Sequence, residues 1–413
     1  MDNIRITLPT RRNGHVLYGV TRRQLLRGVG ALGALAAGGS LAACGTDPVA
    51  EPEGESTATG GSPDTDDRSD EEKVLNFDSW PLYIDVDEDD PNVRPTLDAF
   101  QEQTGIEVNY VEAINDNEEY FAKISPQLSN GQPISADLFV VTDFMVARLI
   151  RLGWLQELNH DNLSTVLAEL DPALKSPGFD PDRSYSVPWQ SGLTGIVYNK
   201  AAVPGGVTSL EQLLTDESLR GRVTLLAGMH ETLPLLAAAQ GSSLQDFTEE
   251  DIEAALEAVE QAVASGQIRR FTGNDYTADL ASGDAVACLG WSGDAIQLQW
   301  EDENIAFVIP EEGGELWSDN MVVPVGAPHK TNAERLMDYY YDPNVAAELA
   351  AWVNYICPVP AAKEAMAEVD PELVEEPLIF PSAEDLANTG ITRDLADDEE
   401  QRWTERWTTV IGG

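Results

Sequence analysis

The sequence predicts an α/β protein of two lobes, and two observations carry that expectation. From Val74 onward, short runs of β-branched and apolar residues alternate with segments of helical period, the pattern of parallel strands joined by covering helices. That region is also about 340 residues long, more than one hydrophobic core usually organises.

What precedes Val74 reads as export and tethering. Thr21-Arg22-Arg23-Gln24-Leu25-Leu26-Arg27 has the form of a twin-arginine signal, Gly28 to Leu41 is its short apolar region, and Leu41-Ala42-Ala43-Cys44 is a lipobox. Residues 1–43 are therefore expected to be a cleaved signal peptide, leaving Cys44 lipid-modified and the chain held at the extracellular face of the cell membrane. The segment 44–73 contains "GTDPVAEPEGESTATGGSPDTDDRSDEEK", almost without large apolar residues. It cannot bury enough surface to offset its ordering entropy and is expected to be a disordered linker.

The first α/β unit opens with the strand "KVLNFDSW", followed by an amphipathic helix around Leu97 and Phe100 that Gly105 closes. "IEVNYVEAI" is a strand, "NEEYFAKISPQLSNG" a helix, "ADLFVVT" a buried strand and "FMVARLIRLGW" a helix. After "YSVPWQSGLTGIVYNK" the style resumes with helix "SLEQLLTDESLRG", strand "VTLLAG", a helix from Glu231 and a longer one from about Glu249 to Val263. Thr248 and Asp251 have the spacing of a capping box for that long helix. "IRRFTG", the short helix "YTADLASG" and strand "AVACLGW" complete a second unit. The last element, "EEQRWTERWTTV", carries Trp403, Trp407 and Val410 on one helical face, by which it is expected to dock.

Composition excludes one class of partner. Lys and Arg number 25 against 72 Asp and Glu, a formal net charge of −47, and nucleic-acid binding needs the opposite sign. Besides Cys44 there are Cys288, in an apolar strand, and Cys357, before Pro358; a disulfide and two buried free thiols are both open. The histidines His15, His160, His230 and His329 lack metal-ligand spacing, and neither a metal nor another cofactor is expected.

Catalytic signatures are missing as well. The sequence has no G-x-S-x-G, P-loop or H-E-x-x-H, and no dinucleotide fingerprint follows the first strand. Glu311 and Glu312 sit adjacent in a turn and point apart, which argues against a glycosidase pair. What recurs instead is an aromatic residue at the C-terminal end of a strand, where open α/β sheets place ligands. Trp80 and Tyr83 follow the first strand, Phe144 follows "DLFVVTD", Trp291 ends "AVACLGW", and Tyr355 precedes "ICPVP". Trp317 and Asp319 stand where a β-rich segment begins. Any one of these rings alone reads as core, but their shared placement suits recognition of an organic cation. Asp319 and Glu231 are the carboxylates best placed to pair with its charges; sugars also use aromatic platforms, so the ligand stays open at this level.

With "NFDSWPLYI", "ADLFVVTDFMV", "YSVPW" followed by "GIVYN", "GWSGDA", "PEEGGELWSDNMVVP" and "NYICPVP", the chain from about Val74 to its end resembles the periplasmic spermidine/putrescine-binding proteins of polyamine ABC transporters. The resemblance implies a two-lobed, periplasmic-binding-protein-like fold of type II, hinged by crossing segments near Gly192 to Thr194, Trp317 to Asp319 and Ala361 to Lys363. One lobe would comprise residues 74–194 and 318–362, the other 195–317 and 363–413. It further implies a monomer that captures a polyamine and passes it to an ABC permease without making or breaking a bond. On the same basis Trp80 and Tyr83 would contact the ligand chain from one wall, with Thr142 and Phe144 nearby. Trp291 and Trp317 would stack on its methylenes, Asp319 and Glu231 would bind amines, and Tyr355 would line the cleft. One departure stands out: Gly228 occupies a position where such proteins carry an Asp, three residues before the Glu. Asp143 is the expected compensation.

Overall fold

The computed structural model describes residues 66–412 except 88, 89, 91 and 394; the export signal, Cys44 and most of the linker lie outside the described residues. The linker's last residues belong to the folded body. Asp67 accepts hydrogen bonds from the Thr331 backbone and hydroxyl, and Ser69 Oγ accepts one from Asn332 N. The two backbone donors, Thr331 N and Asn332 N, are open N–H groups at the start of a helix beginning at Lys330, which a polar segment remote in sequence satisfies. Composition alone does not show this.

The first run is β1 (Val74–Ser79), α1 (Pro95–Thr104), β2 (Glu107–Glu112), α2 (Asn117–Leu128), β3 (Leu138–Thr142) and α3 (Asp143–Arg151). Pro95 fits the first turn of α1, where an N–H would have no partner, and Gly105 ends the helix at φ 71°, left-handed backbone that glycine adopts without strain. β1 lies between β2 and β3, parallel to both. After α4 (Ser164–Glu169) comes β4 (Ser186–Asn199), then α5 (Leu210–Thr215).

The second run is β5 (Val223–Leu226), α6 (Met229–Ala238), α7 (Glu249–Ala264), β6 (Ile268–Thr272), α8 (Tyr276–Ser282), β7 (Ala287–Trp291) and α9 (Ser292–Gln299). The Thr248–Asp251 capping box is present in both directions. β8 (Ile305–Val308) and β9 (Gly314–Val322) follow, then α10 (Lys330–Tyr339), α11 (Pro343–Val353), α12 (Ala362–Val369), β10 (Thr389–Gly390) and α13 (Asp397–Ile411). Trp403, Trp407 and Val410 are all buried, and Trp407 Nε1 donates to Ala227 O at 2.6 Å, so α13 docks by the expected face.

One sheet runs through the molecule in the order β2-β1-β3-β9-β4-β7-β5-β6. Its two ends are parallel, as the alternating pattern predicts, but they are joined by a central antiparallel pair. β4 pairs with β9 from Ser186↔Val322 to Thr194↔Glu315, with a bulge between Pro188 and Gln190. β9 also pairs with β3, and β4 with β7. Each of the two central strands therefore has one half in each end of the sheet. A third pass of the chain lies beside them, where Ile356 pairs with Ser191. Cys288 and Cys357 are free and buried, which resolves the two open readings. Among the described residues no helix is long and apolar enough to cross a membrane.

Candidate functional site

The ends of five strands and the turn after α11 deliver side chains to one pocket between the two halves of the sheet. β1 leads to Trp80 and Tyr83, and β3 to Thr142 and Phe144. Glu231 stands in the first turn of α6 beyond β5, Trp291 ends β7, Trp317 and Asp319 lie on β9, and Tyr355 follows α11. All nine residues singled out in the sequence line this pocket, whose empty volume is about 520 Å³ counted out to its mouth.

Its wall is a continuous chain of rings. Trp80 meets Trp291 edge to face with centroids 6.1 Å apart, Trp291 meets Trp317 at 6.4 Å, Trp317 meets Tyr355 at 5.7 Å, and Tyr355 meets Tyr83 at 5.1 Å. Two glycines make that packing possible: a Cβ on Gly192 would run into the Trp317 indole, and one on Gly293 into the Tyr355 ring. The "GWSG" and "SGL" glycines are thus space for aromatic rings rather than turn residues.

Four carboxylates face the same space: Glu231, Asp294, Glu315 and Asp319. Asp294 is saturated by donors, accepting from Asn274 Nδ2 at 2.9 Å, Tyr276 Oη at 2.7 Å and Tyr355 Oη at 2.8 Å. Burial still lifts its carboxyl to about 6 against those bonds. Asp319 accepts from Thr142 Oγ1 at 2.7 Å, and Asn117 Nδ2 in turn holds Thr142 Oγ1 at 2.9 Å. The Tyr83 hydroxyl is buried beside Asp319, outside ordinary hydrogen-bond geometry. Burial, with repulsion from Asp143 behind it, raises Asp319 to about 7 despite these partners. Glu315 accepts from the Thr392 hydroxyl and is raised by burial to about 8. Glu231 is pushed well above the carboxylate range by burial and by the neighbouring acids Asp116, Glu315 and Asp319. No described residue donates a hydrogen bond to it, and no lysine or arginine is among the described residues that line the pocket.

Such a cavity is poorly suited to its own charge. Buried carboxylates without a cation are costly and hold protons to relieve the cost. A cation of matching shape would remove that cost, and flat ring faces would attract it and cover its methylenes.

Sequence reasoning missed Asp294 and Glu315 as site residues, although both stand within segments it had marked. Alternation along β9 is the signal that finds Glu315, four residues before Asp319 on the same side. His230, passed over in the sequence because the histidines lack metal-ligand spacing, lines the pocket and stacks on Phe144. Asp143 does not compensate for Gly228: its carboxylate is turned to Asn320 Nδ2, at 2.7 Å, and Ser318 N, at 3.3 Å, and does not line the pocket. Instead, the Glu231 carboxylate folds back over Gly228 into the space a Cβ would fill. Among the described residues no group of His, Cys, Asp and Glu has the arrangement of a metal site.

Known proteins share this architecture. The spermidine/putrescine-binding periplasmic protein of Escherichia coli (strain K12) is 27% identical over 321 residues, covering 78% of this chain and 86% of that one. The putrescine-binding periplasmic protein PotF of the same organism is 28% identical over 367 residues, covering 83% and 92%. Among solved structures, the Tp0655 lipoprotein of Treponema pallidum superimposes with a TM-score of 0.68 at 22% identity, covering 82% of this chain and 100% of the other. That likeness speaks for the two-lobed fold. The bacterial extracellular solute-binding protein family matches residues 96–381, a span that holds every pocket residue from Thr142 to Tyr355, and this chain belongs to that family: a binding protein, not an enzyme.

Proposed function

We propose that this chain is the substrate-binding component of an ABC importer and captures a polyamine of the spermidine/putrescine class in its interlobe pocket. The observation that carries the reading is the set of four buried carboxylates behind an aromatic wall, with no lysine or arginine among the described lining residues. The names of the relatives agree with it, since they bind spermidine or putrescine. Trp80, Tyr83, Phe144, Trp291, Trp317 and Tyr355 would enclose the methylenes, and Asp319 and Glu231 would take ammonium groups in charge-assisted hydrogen bonds.

The lobes would be residues 74–194 with 318–362 and 195–317 with 363–413, closing on the ligand because the closed form binds it more tightly than the open one. The monomer, held at the extracellular face of the cell membrane through lipid on Cys44, would then deliver the polyamine to a permease.

The test is a titration of the soluble chain beginning at Gly45 with putrescine, spermidine, choline and maltose, following thermal stability at about 0.15 M and 1 M salt. A saturable rise with a polyamine that persists in 1 M salt is expected, because a buried ion pair is screened far less than the diffuse acidic surface. A response to maltose alone, or one that vanishes with salt, would refute the polyamine reading.

A further inference from the structure

β9 is extended, so alternate side chains leave it on one side, and Glu315, Trp317 and Asp319 all face the pocket. A strand rises about 3.3 Å per residue, which sets the two acidic positions about 13 Å apart with the indole midway. Pairing fixes that spacing: Asp319 is bound between Thr142 and Gln190, and Glu315 is held to Thr194.

The two ends are provided for alike, each with a threonine hydroxyl and no cation among the described lining residues. At Asp319 the protein supplies the Thr142 hydroxyl. At Glu315 only Thr392 donates among the described residues, to one oxygen. Glu231 lines the same pocket, is 8% exposed and receives no hydrogen bond from a described residue. Each of the two acids on β9 thus lacks a positive partner among the described lining residues.

Ligand length decides which amine fits. An extended chain advances about 1.25 Å per bond, so a 1,4-diamine spans about 6 Å between nitrogens and a triamine with three- and four-carbon arms about 11 Å. A diamine on Asp319 stops near Trp317. The longer chain crosses the indole and reaches the second acid.

From this spacing we infer that Glu315 is the far-end ammonium acceptor of the pocket and that the ligand is a linear triamine or longer rather than a diamine. The inference rests on the polyamine reading above and adds its length class and a residue that reads it.

Calorimetric titration of the soluble chain and its Glu315→Gln variant with putrescine and spermidine tests it. Wild type is expected to bind spermidine at least about tenfold more tightly than putrescine. Glu315→Gln, which keeps size and the bond from Thr392, is expected to weaken spermidine by about 10- to 100-fold and putrescine by less than about threefold. Thr392→Val removes the donor but keeps the charge, and is expected to retain spermidine binding within about fivefold; should Glu315→Gln fail to fold, this variant and the wild-type length comparison still decide. Equal losses for both amines, an unchanged spermidine affinity, or wild type binding putrescine as tightly as spermidine would each overturn the inference while leaving polyamine binding intact. Neither amine binding wild type would remove the polyamine reading itself, and this inference with it.

Discussion

Phe144 lies flat against His230, their ring centroids 4.1 Å apart and their planes 12° from parallel. One comes from the first turn of α3 and the other from the first turn of α6, so the stack joins the two ends of the sheet across the pocket rim. Behind it, Arg148 and Arg151 of α3 reach Glu400 of α13, each at 2.6 Å, and His230 Nε2 lies 3.0 Å from the same carboxylate. Arg148 also holds Glu118 at 2.8 Å. These contacts form a latch between elements that are far apart in the chain.

Glu400→Gln is expected to lower the unfolding free energy near neutral pH by about 3 kcal/mol, the scale of breaking a largely buried ion pair. Burial raises the Glu400 carboxyl, but bonds from His230 and Arg148 outweigh it and hold it down to about 2. A depressed carboxyl contributes its stability above the ordinary value of about 4.5 and loses it as the pH falls towards 2. Urea unfolding curves of wild type and variant should therefore converge across that window; a constant gap down to pH 2 would show that the latch is not electrostatic.

Ligand affinity is expected to rise with pH between about 6 and 8, because burial leaves Asp319 at about 7 and Glu315 at about 8, partly protonated before a cation arrives. Binding should then release protons, which calorimetry in buffers of different ionisation enthalpy measures directly. The empty protein has the opposite dependence: acids raised by folding bind more protons folded than unfolded, so their contribution to stability falls as pH climbs from about 4 to 8. Asp319→Asn should weaken binding by about 2 to 4 kcal/mol and flatten the affinity profile. An unaltered pH profile in that variant would take Asp319 out of the site.

Of the two central indoles, Trp317 is the cleaner probe. Trp291 is buried against Trp80, Tyr276 and Trp317, so Trp291→Ala is expected to cost about 3 to 5 kcal/mol of stability as well as ligand affinity. Trp317 is only half-buried, and its Nε1 has no hydrogen-bond partner among the described residues. Trp317→Phe should reduce affinity about tenfold with a shift in Tm below about 3 °C; thermal melts beside titrations separate the two effects.

Gly228→Ala places a methyl where the Glu231 carboxylate now sits. Because that carboxylate is the far end of a flexible side chain, it should move at little cost to the fold. The expected result is unchanged Tm and a polyamine affinity at least about fivefold weaker, with Glu231→Gln giving a similar loss. Wild-type binding in Gly228→Ala would mean that the position of Glu231 is unimportant.

The strand and helix order was legible because apolar periodicity reports which faces are buried, and the residues that line the pocket were legible because strand ends gather at one cleft whatever the sheet's detail, with Thr142 added only by the family resemblance. The central pairing was not. "YSVPWQSGLTGIVYNK" contains Pro188, Gly192 and Gly195, which weaken any strand reading, yet it forms the 14-residue β4 because Trp317, Tyr355 and Phe307 need the space those glycines leave. Thr392 was equally hidden: its role depends on a tail that returns to Glu315 from 77 residues away. The latch at Glu400 depends on three elements that no local pattern connects.

The strand that carries Glu315, Trp317 and Asp319 is also one of the two strands shared by both ends of the sheet. If the lobes close on the ligand as proposed, sensing the cargo and moving the lobes fall to the same nine residues, and a substitution there that retunes the cargo would also perturb the motion. Evolutionary change in what this protein carries should be easiest at positions off that strand, such as Gly228 and Thr392, where specificity can drift while β9 stays intact. Two lineages with one mechanism and different cargoes would be expected to differ first at those places.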